Sequence, residues 1–179
     1  MLASEYRGKS GVKQRQAVTD PKLVRFIEAL MHTPGPRLFR YEEDGKWHDL
    51  DARTLNEFLS ETLGVPYTAK DFRTWGGTLR AATVLADLGP PKNVTESKRN
   101  VATVMRLVAA ELGNTPTICR KSYVHPVVVE RYTDEGVTIA DYLTRGGVRG
   151  GFAHTPEERA LIAFLDEHFP ERRRTRRAE

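Results

Sequence analysis

Apolar residues recur along most of this chain at three- and four-residue spacing, which predicts helices; strand-like alternation is confined to its early part. Leu23, Phe26, Ile27 and Leu30 follow Asp20-Pro21, an N-cap and first-turn proline, so residues 21–32 read as a helix with one apolar face. Pro34-Gly35-Pro36 stops it. Asp51 is placed to cap a second helix carrying Leu55, Phe58, Leu59 and Leu63, which Gly64 closes. Thr68 is placed to cap a third, whose Phe72, Trp75 and Leu79 share a face expected to join the core. Gly89-Pro90-Pro91 breaks the chain. Thr95 is then expected to open a long helix with Val101, Val104, Met105, Val108 and Leu112 facing inward, ended by Gly113. Thr115-Pro116 starts another, and His125-Pro126 punctuates it. Thr155-Pro156-Glu157-Glu158 is a strong helix start ahead of Leu161, Phe164 and Leu165.

Residues 5–19 predict two short strands about Gly8-Lys9-Ser10-Gly11, and a second small hairpin is expected about Glu42-Glu43-Asp44-Gly45. No internal repeat is present. The fold class is α+β, predominantly helical, with small β-hairpins at the N-terminal end.

Composition narrows the class. With 179 residues, 39 % hydrophobic and 29 % charged, the chain suits one packed domain over residues 1–169 and a basic tail, 170–179, expected to be disordered. No run approaches the roughly 20 apolar residues of a membrane span, so no membrane partner is expected. The start, Met1-Leu2-Ala3-Ser4-Glu5, has no charged-then-apolar leader, which points to the cytoplasm. A single cysteine, Cys119, can form no internal disulfide and no zinc site built on several thiolates. The five histidines show no metal-ligand spacing, and no cofactor is expected. The net charge is +4, but without the arginine-rich last nine residues it is close to neutral. Charge alone therefore does not make a case for nucleic acid.

Two segments carry the candidate chemistry: Lys70-Asp71-Phe72-Arg73-Thr74-Trp75-Gly76, and Asn114-Thr115-Pro116 through Tyr123. A tyrosine hydroxyl can cleave a phosphodiester if the phosphate's charge is held and the leaving oxygen is protonated. Arginine suits the first task, since its planar fork grips two oxygens and keeps its charge. A lysine beside cations suits the second. Each residue alone is unremarkable; the combination carries the signal.

That combination resembles the type IB DNA topoisomerases of the small bacterial and poxviral kind. Lys70 through Gly76 looks like the family's Lys-Asp-Leu/Phe-Arg-Thr-aromatic-Gly motif. Asn114-Thr115-Pro116 with Tyr123 nine positions on looks like the His-Thr-Pro…Tyr motif, and Arg7-Gly8-Lys9-Ser10-Gly11 resembles the hairpin bearing the general-acid lysine. The resemblance implies the catalytic fold of the DNA breaking-rejoining enzymes, double-stranded DNA as partner, and ATP- and metal-independent relaxation of supercoils by a monomer. It assigns Tyr123 as nucleophile, Arg73 and Asn114 as phosphate ligands and Lys9 as general acid. Lys70, Arg7, Arg120 and Lys121 are expected to touch the DNA. It leaves open where Tyr123 sits without DNA.

Two departures follow. Asn114 replaces the poxviral histidine; its amide N–H still donates to a phosphate oxygen, and asparagine suits the bacterial branch. The family also has an essential arginine upstream of the lysine hairpin, whereas eight residues precede Lys9 here and Arg7 belongs to the same hairpin. The expectation is a catalytic domain truncated at its N-terminal side, a separately encoded N-terminal clamp domain, and poor relaxation by the chain alone.

Other readings stand beside this one. Tyrosine recombinases share the mechanism, and Tyr123-Val124-His125 leans their way, but their His-x-x-Arg is here Lys70-x-x-Arg73. An inactive DNA-binding remnant, or half of a split enzyme, is also compatible. Ala3 through Ser10 imitates a phosphate-binding loop only loosely, since no strand precedes it and Glu5 would repel phosphate. His125 and Cys119 are expected to pack rather than react.

Overall fold

The computed structural model describes residues 1–8, 13–143 and 154–169. They fall into two compact units, 1–69 and 70–179. The architecture is α+β and predominantly helical, with seven α-helices and two antiparallel strand pairs among the described residues.

In the first unit, β1 (Leu2–Arg7) pairs with β2 (Lys13–Val18), Leu2 opposite Val18 and Arg7 opposite Lys13. The pairing reaches nearer the terminus than the expected 5–19, because the apolar Leu2 and Val18 meet across the strands. Helix α1 (Pro21–Met31) starts where the sequence indicated: the Asp20 carboxylate accepts from the Lys22 and Leu23 N–H groups at 2.7 and 3.0 Å. Strands β3 (Arg40–Glu43) and β4 (Lys46–Asp49) are joined by Asp44-Gly45 alone, with Glu42 and Glu43 inside the strand rather than in the turn. Both turn residues have positive φ, +49° and +74°, the conformation whose twist matches the flanking strands. Helix α2 (Ala52–Leu63) is capped by Asp51, whose carboxyl lies below the usual carboxylate range because the Thr54 N–H and hydroxyl both donate to it.

The helical spacing in this unit is real, but the apolar faces are not buried. Leu23 is 54 % exposed and Phe26 and Phe58 are each 60 % exposed. Every buried apolar side chain among the described residues lies between Ala81 and Phe164.

The second unit holds that core. It comprises α3 (Ala69–Leu88), α4 (Val94–Leu112), α5 (Pro116–Ser122), α6 (Pro126–Glu135), a 3-10 turn (Ile139–Tyr142) and α7 (Pro156–His168). Val101, Val104, Met105 and Val108 of α4 are buried as their spacing predicts, and Leu112 packs at the edge. Asn93, not Thr95, caps α4: its side-chain oxygen accepts from the Glu96 N–H at 2.9 Å. Asparagine two positions earlier does the same job and lets the helix begin at Val94. Phe72 is a second correction, being 55 % exposed while Trp75 and Leu79 pack against the core. Nine residues separate Phe72 from the buried Ala81, which is two and a half helical turns and places them on opposite faces. Helix α7 opens with the expected reciprocal cap between Thr155 and Glu158.

One buried polar link ties these helices together. The Tyr132 hydroxyl accepts from Asn100 Nδ2 at 2.7 Å and donates to the Gly89 carbonyl at 3.0 Å. Tyr132→Phe removes one partner from each and leaves the Asn100 amide in the interior. We expect a loss of about 1–3 kcal/mol, read as a lower urea midpoint with an unchanged slope. No loss would mean that water satisfies both groups. Among the described residues no helix is long and apolar enough to cross a membrane.

Candidate active site

The site grows from two helix ends. Asp71 and Arg73 lie near the N-terminal end of α3, with Lys70 one helical turn before Thr74. Helix α4 ends at Gly113, which takes the left-handed conformation at φ +64° and leaves carbonyls of the last turn without helical N–H partners. One of them, Leu112 O, becomes the meeting point. Arg73 Nη2 donates to it at 2.7 Å and Asn114 Nδ2 at 3.2 Å.

Thr115 then caps α5 through the Ile118 N–H, with Pro116 in its first turn. This seven-residue helix delivers Tyr123 at its end, half-buried, where the chain breaks before α6. The Arg73 guanidinium carbon lies 5.2 Å from the centre of the Tyr123 ring, within cation–π range. Arg73, Asn114 and Tyr123 are therefore brought together, and Tyr123 sits beside the arginine without DNA.

The remaining expected residues are dispersed. Lys9 lies outside the described residues. Arg7 is exposed at the end of β1, in the first unit. Lys70, Arg120 and Lys121 are exposed in the second. Arg120 lines a cleft of about 680 Å³ together with Lys98 and Arg106 of α4. Among the described residues none of these three cations has a carboxylate partner, whereas Arg80, Arg99 and Arg131 are paired with Glu111, Glu96 and Glu135. Lys98 and Arg106 went unnoticed in the sequence, although their eight-residue spacing with Ala102 midway puts them on one helical face.

Cys119, four residues before Tyr123, is fully buried in the core. Burial pushes its thiol up, and the positive charge of Arg73 opposes that less strongly. His125 serves structure: its Nδ1 accepts from the Val127 N–H at the start of α6, and its ring meets Phe169 edge-on at 4.9 Å.

With this geometry in hand, the comparisons with known proteins are specific. The family model described as "Eukaryotic DNA topoisomerase I, catalytic core" matches residues 1–145. That stretch includes Lys9, Arg73, Asn114 and Tyr123. The chain belongs to the type IB DNA topoisomerase family. The protein named DNA topoisomerase 1B of Acanthamoeba polyphaga mimivirus is 32 % identical over 140 residues, which cover 74 % of this chain and 42 % of that relative.

Proposed function

We propose that this protein cleaves and rejoins one strand of duplex DNA through a tyrosyl intermediate, relaxing supercoils without ATP. The observation that carries the reading is the convergence of Arg73 and Asn114 on the Leu112 carbonyl, with Arg73 over the Tyr123 ring. A phosphate oxygen placed there would meet the same two donors. It would bind them more strongly than a neutral carbonyl does, because a charged acceptor shortens and strengthens hydrogen bonds to guanidinium.

On this reading Tyr123 Oη gives up its proton to water as it attacks phosphorus, a 3′-phosphotyrosyl bond forms and the bond to the 5′ oxygen breaks. The departing oxygen takes its proton from the Lys9 ammonium. Arg73 and Asn114 hold the non-bridging oxygens as charge builds on them. The free strand swivels, and the 5′ hydroxyl then attacks the phosphotyrosine, returning its proton to Lys9 while the bond to Tyr123 breaks and its oxygen takes a proton from water. Bond energy is conserved in the intermediate. Arg7, Lys70, Arg120 and Lys121 contact the duplex backbone, and the protein works as a monomer. A further segment, supplied from outside these 179 residues, completes the enclosure of DNA; the relative's greater length supports this.

The test is relaxation of supercoiled plasmid without ATP, with and without the segment encoded upstream. Weak relaxation by the chain alone and strong relaxation with that segment are expected. Duplex affinity should also fall steeply with salt, as counterion release from several phosphate contacts requires. Absence of relaxation and of covalent DNA adduct under both conditions would sink the enzymatic reading and leave a DNA-binding protein.

A further inference from the structure

Tyr123 lies in the break between α5 and α6, so no continuous helical ladder fixes its backbone. Its φ and ψ are −131° and −5°, and the Tyr123 and Val124 N–H groups both turn back to the Cys119 carbonyl. What holds this segment from the other side is α3. We infer that Gly77 and Thr78 are positioning residues that set Tyr123 against the helix bearing Arg73; the inference rests on the phosphotyrosyl reading above.

Three contacts carry it. A Cβ at Gly77 would lie 2.6 Å from the Tyr123 carbonyl oxygen and 3.4 Å from its carbonyl carbon, a backbone approach that only glycine permits. The neighbouring Gly76 faces open space, with nothing within 4 Å of an added Cβ. Thr78, 3 % exposed, accepts the His125 N–H at 3.0 Å and donates to the Thr74 carbonyl at 2.7 Å, with the Tyr123 carbonyl oxygen 3.5 Å away. Thr74 adds a long contact, its hydroxyl 3.5 Å from the Ser122 carbonyl. The backbone at 122, 123 and 125 is thus registered against 74, 77 and 78, beginning at the residue next to Arg73. A shift in that register moves the nucleophile relative to the phosphate ligands, and about 1 Å of misplacement costs on the order of 10²-fold in rate.

Cys119 supplies a readout besides activity. It is the single cysteine, buried on α5 and protected only while that helix stays packed. In the full chain, Gly77→Ala and Thr78→Val should raise its reaction rate with a thiol-specific disulfide reagent by about tenfold through local opening. Gly76→Ala and Thr78→Ser should leave that rate within about twofold, serine because it keeps both hydrogen bonds. With DNA, single-turnover cleavage should fall about 10²-fold in Thr78→Val while duplex affinity changes less than about threefold, and Thr78→Ser should recover cleavage. Parental thiol protection and parental cleavage in Thr78→Val would overturn the inference. So would a defect in Thr78→Ser equal to that in Thr78→Val, or thiol exposure that merely follows a lowered melting temperature. If the unaltered chain cleaves no DNA either alone or with the upstream segment, the enzymatic reading fails, and the thiol measurements still decide whether Gly77 and Thr78 hold Tyr123.

Discussion

Tyr123→Phe should form no covalent adduct with duplex DNA and relax no plasmid, while binding the duplex nearly as well as the unaltered chain. The phenol oxygen is the only atom removed. The ring remains beneath the Arg73 guanidinium, and the α5–α6 break is held by backbone contacts that phenylalanine retains. Loss of a nucleophile admits no partial substitute when the intermediate is covalent. Incubation with a nicked or suicide duplex, followed by denaturing electrophoresis, reads the result directly. An adduct of undiminished yield in Tyr123→Phe would show that another side chain attacks, and the two motifs would lose their assigned meaning.

Arg73 carries the second large effect. Arg73→Ala should slow single-turnover cleavage by about 10²–10³-fold, the usual cost of removing one preorganised donor to a developing oxyanion. Arg73→Lys should recover little of it. Lysine brings a charge but not the planar fork, so it cannot hold two phosphate oxygens together or lie flat over the Tyr123 ring. The measurement is the cleavage rate constant at saturating protein, set beside duplex affinity to separate chemistry from binding. Lysine behaving like arginine would reduce the role of residue 73 to charge alone.

Much of this site could be read from the chain because its parts are local. Asp20, Asp51 and Thr155 cap helices by accepting from backbone N–H groups two or three residues on, and the sequence displays such partners side by side. Arg73, Asn114 and Tyr123 were legible through motif spacing. The Leu112 carbonyl was not, since any residue supplies a carbonyl and this one receives Arg73 across 39 positions. Gly77 was hidden similarly: Gly76-Gly77 looks alike at both positions, and only the packed fold shows that one touches backbone and the other nothing. Phe72 and the apolar faces of α1 and α2 erred in the opposite sense. Periodicity says which residues share a face of a helix, but whether anything covers that face is a tertiary fact.

The carbonyl at the end of α4 bears on how such a protein lets go. On the proposed reading an incoming phosphate that takes the same N–H groups of Arg73 and Asn114 displaces Leu112 O, leaving a helix-terminal oxygen to find water. That exchange subtracts from the grip on DNA at every encounter. It also gives Arg73 and Asn114 somewhere to return when the strand is sealed. On that reading the oxygen that weakens capture also eases departure, and a duplex would be held there transiently rather than permanently.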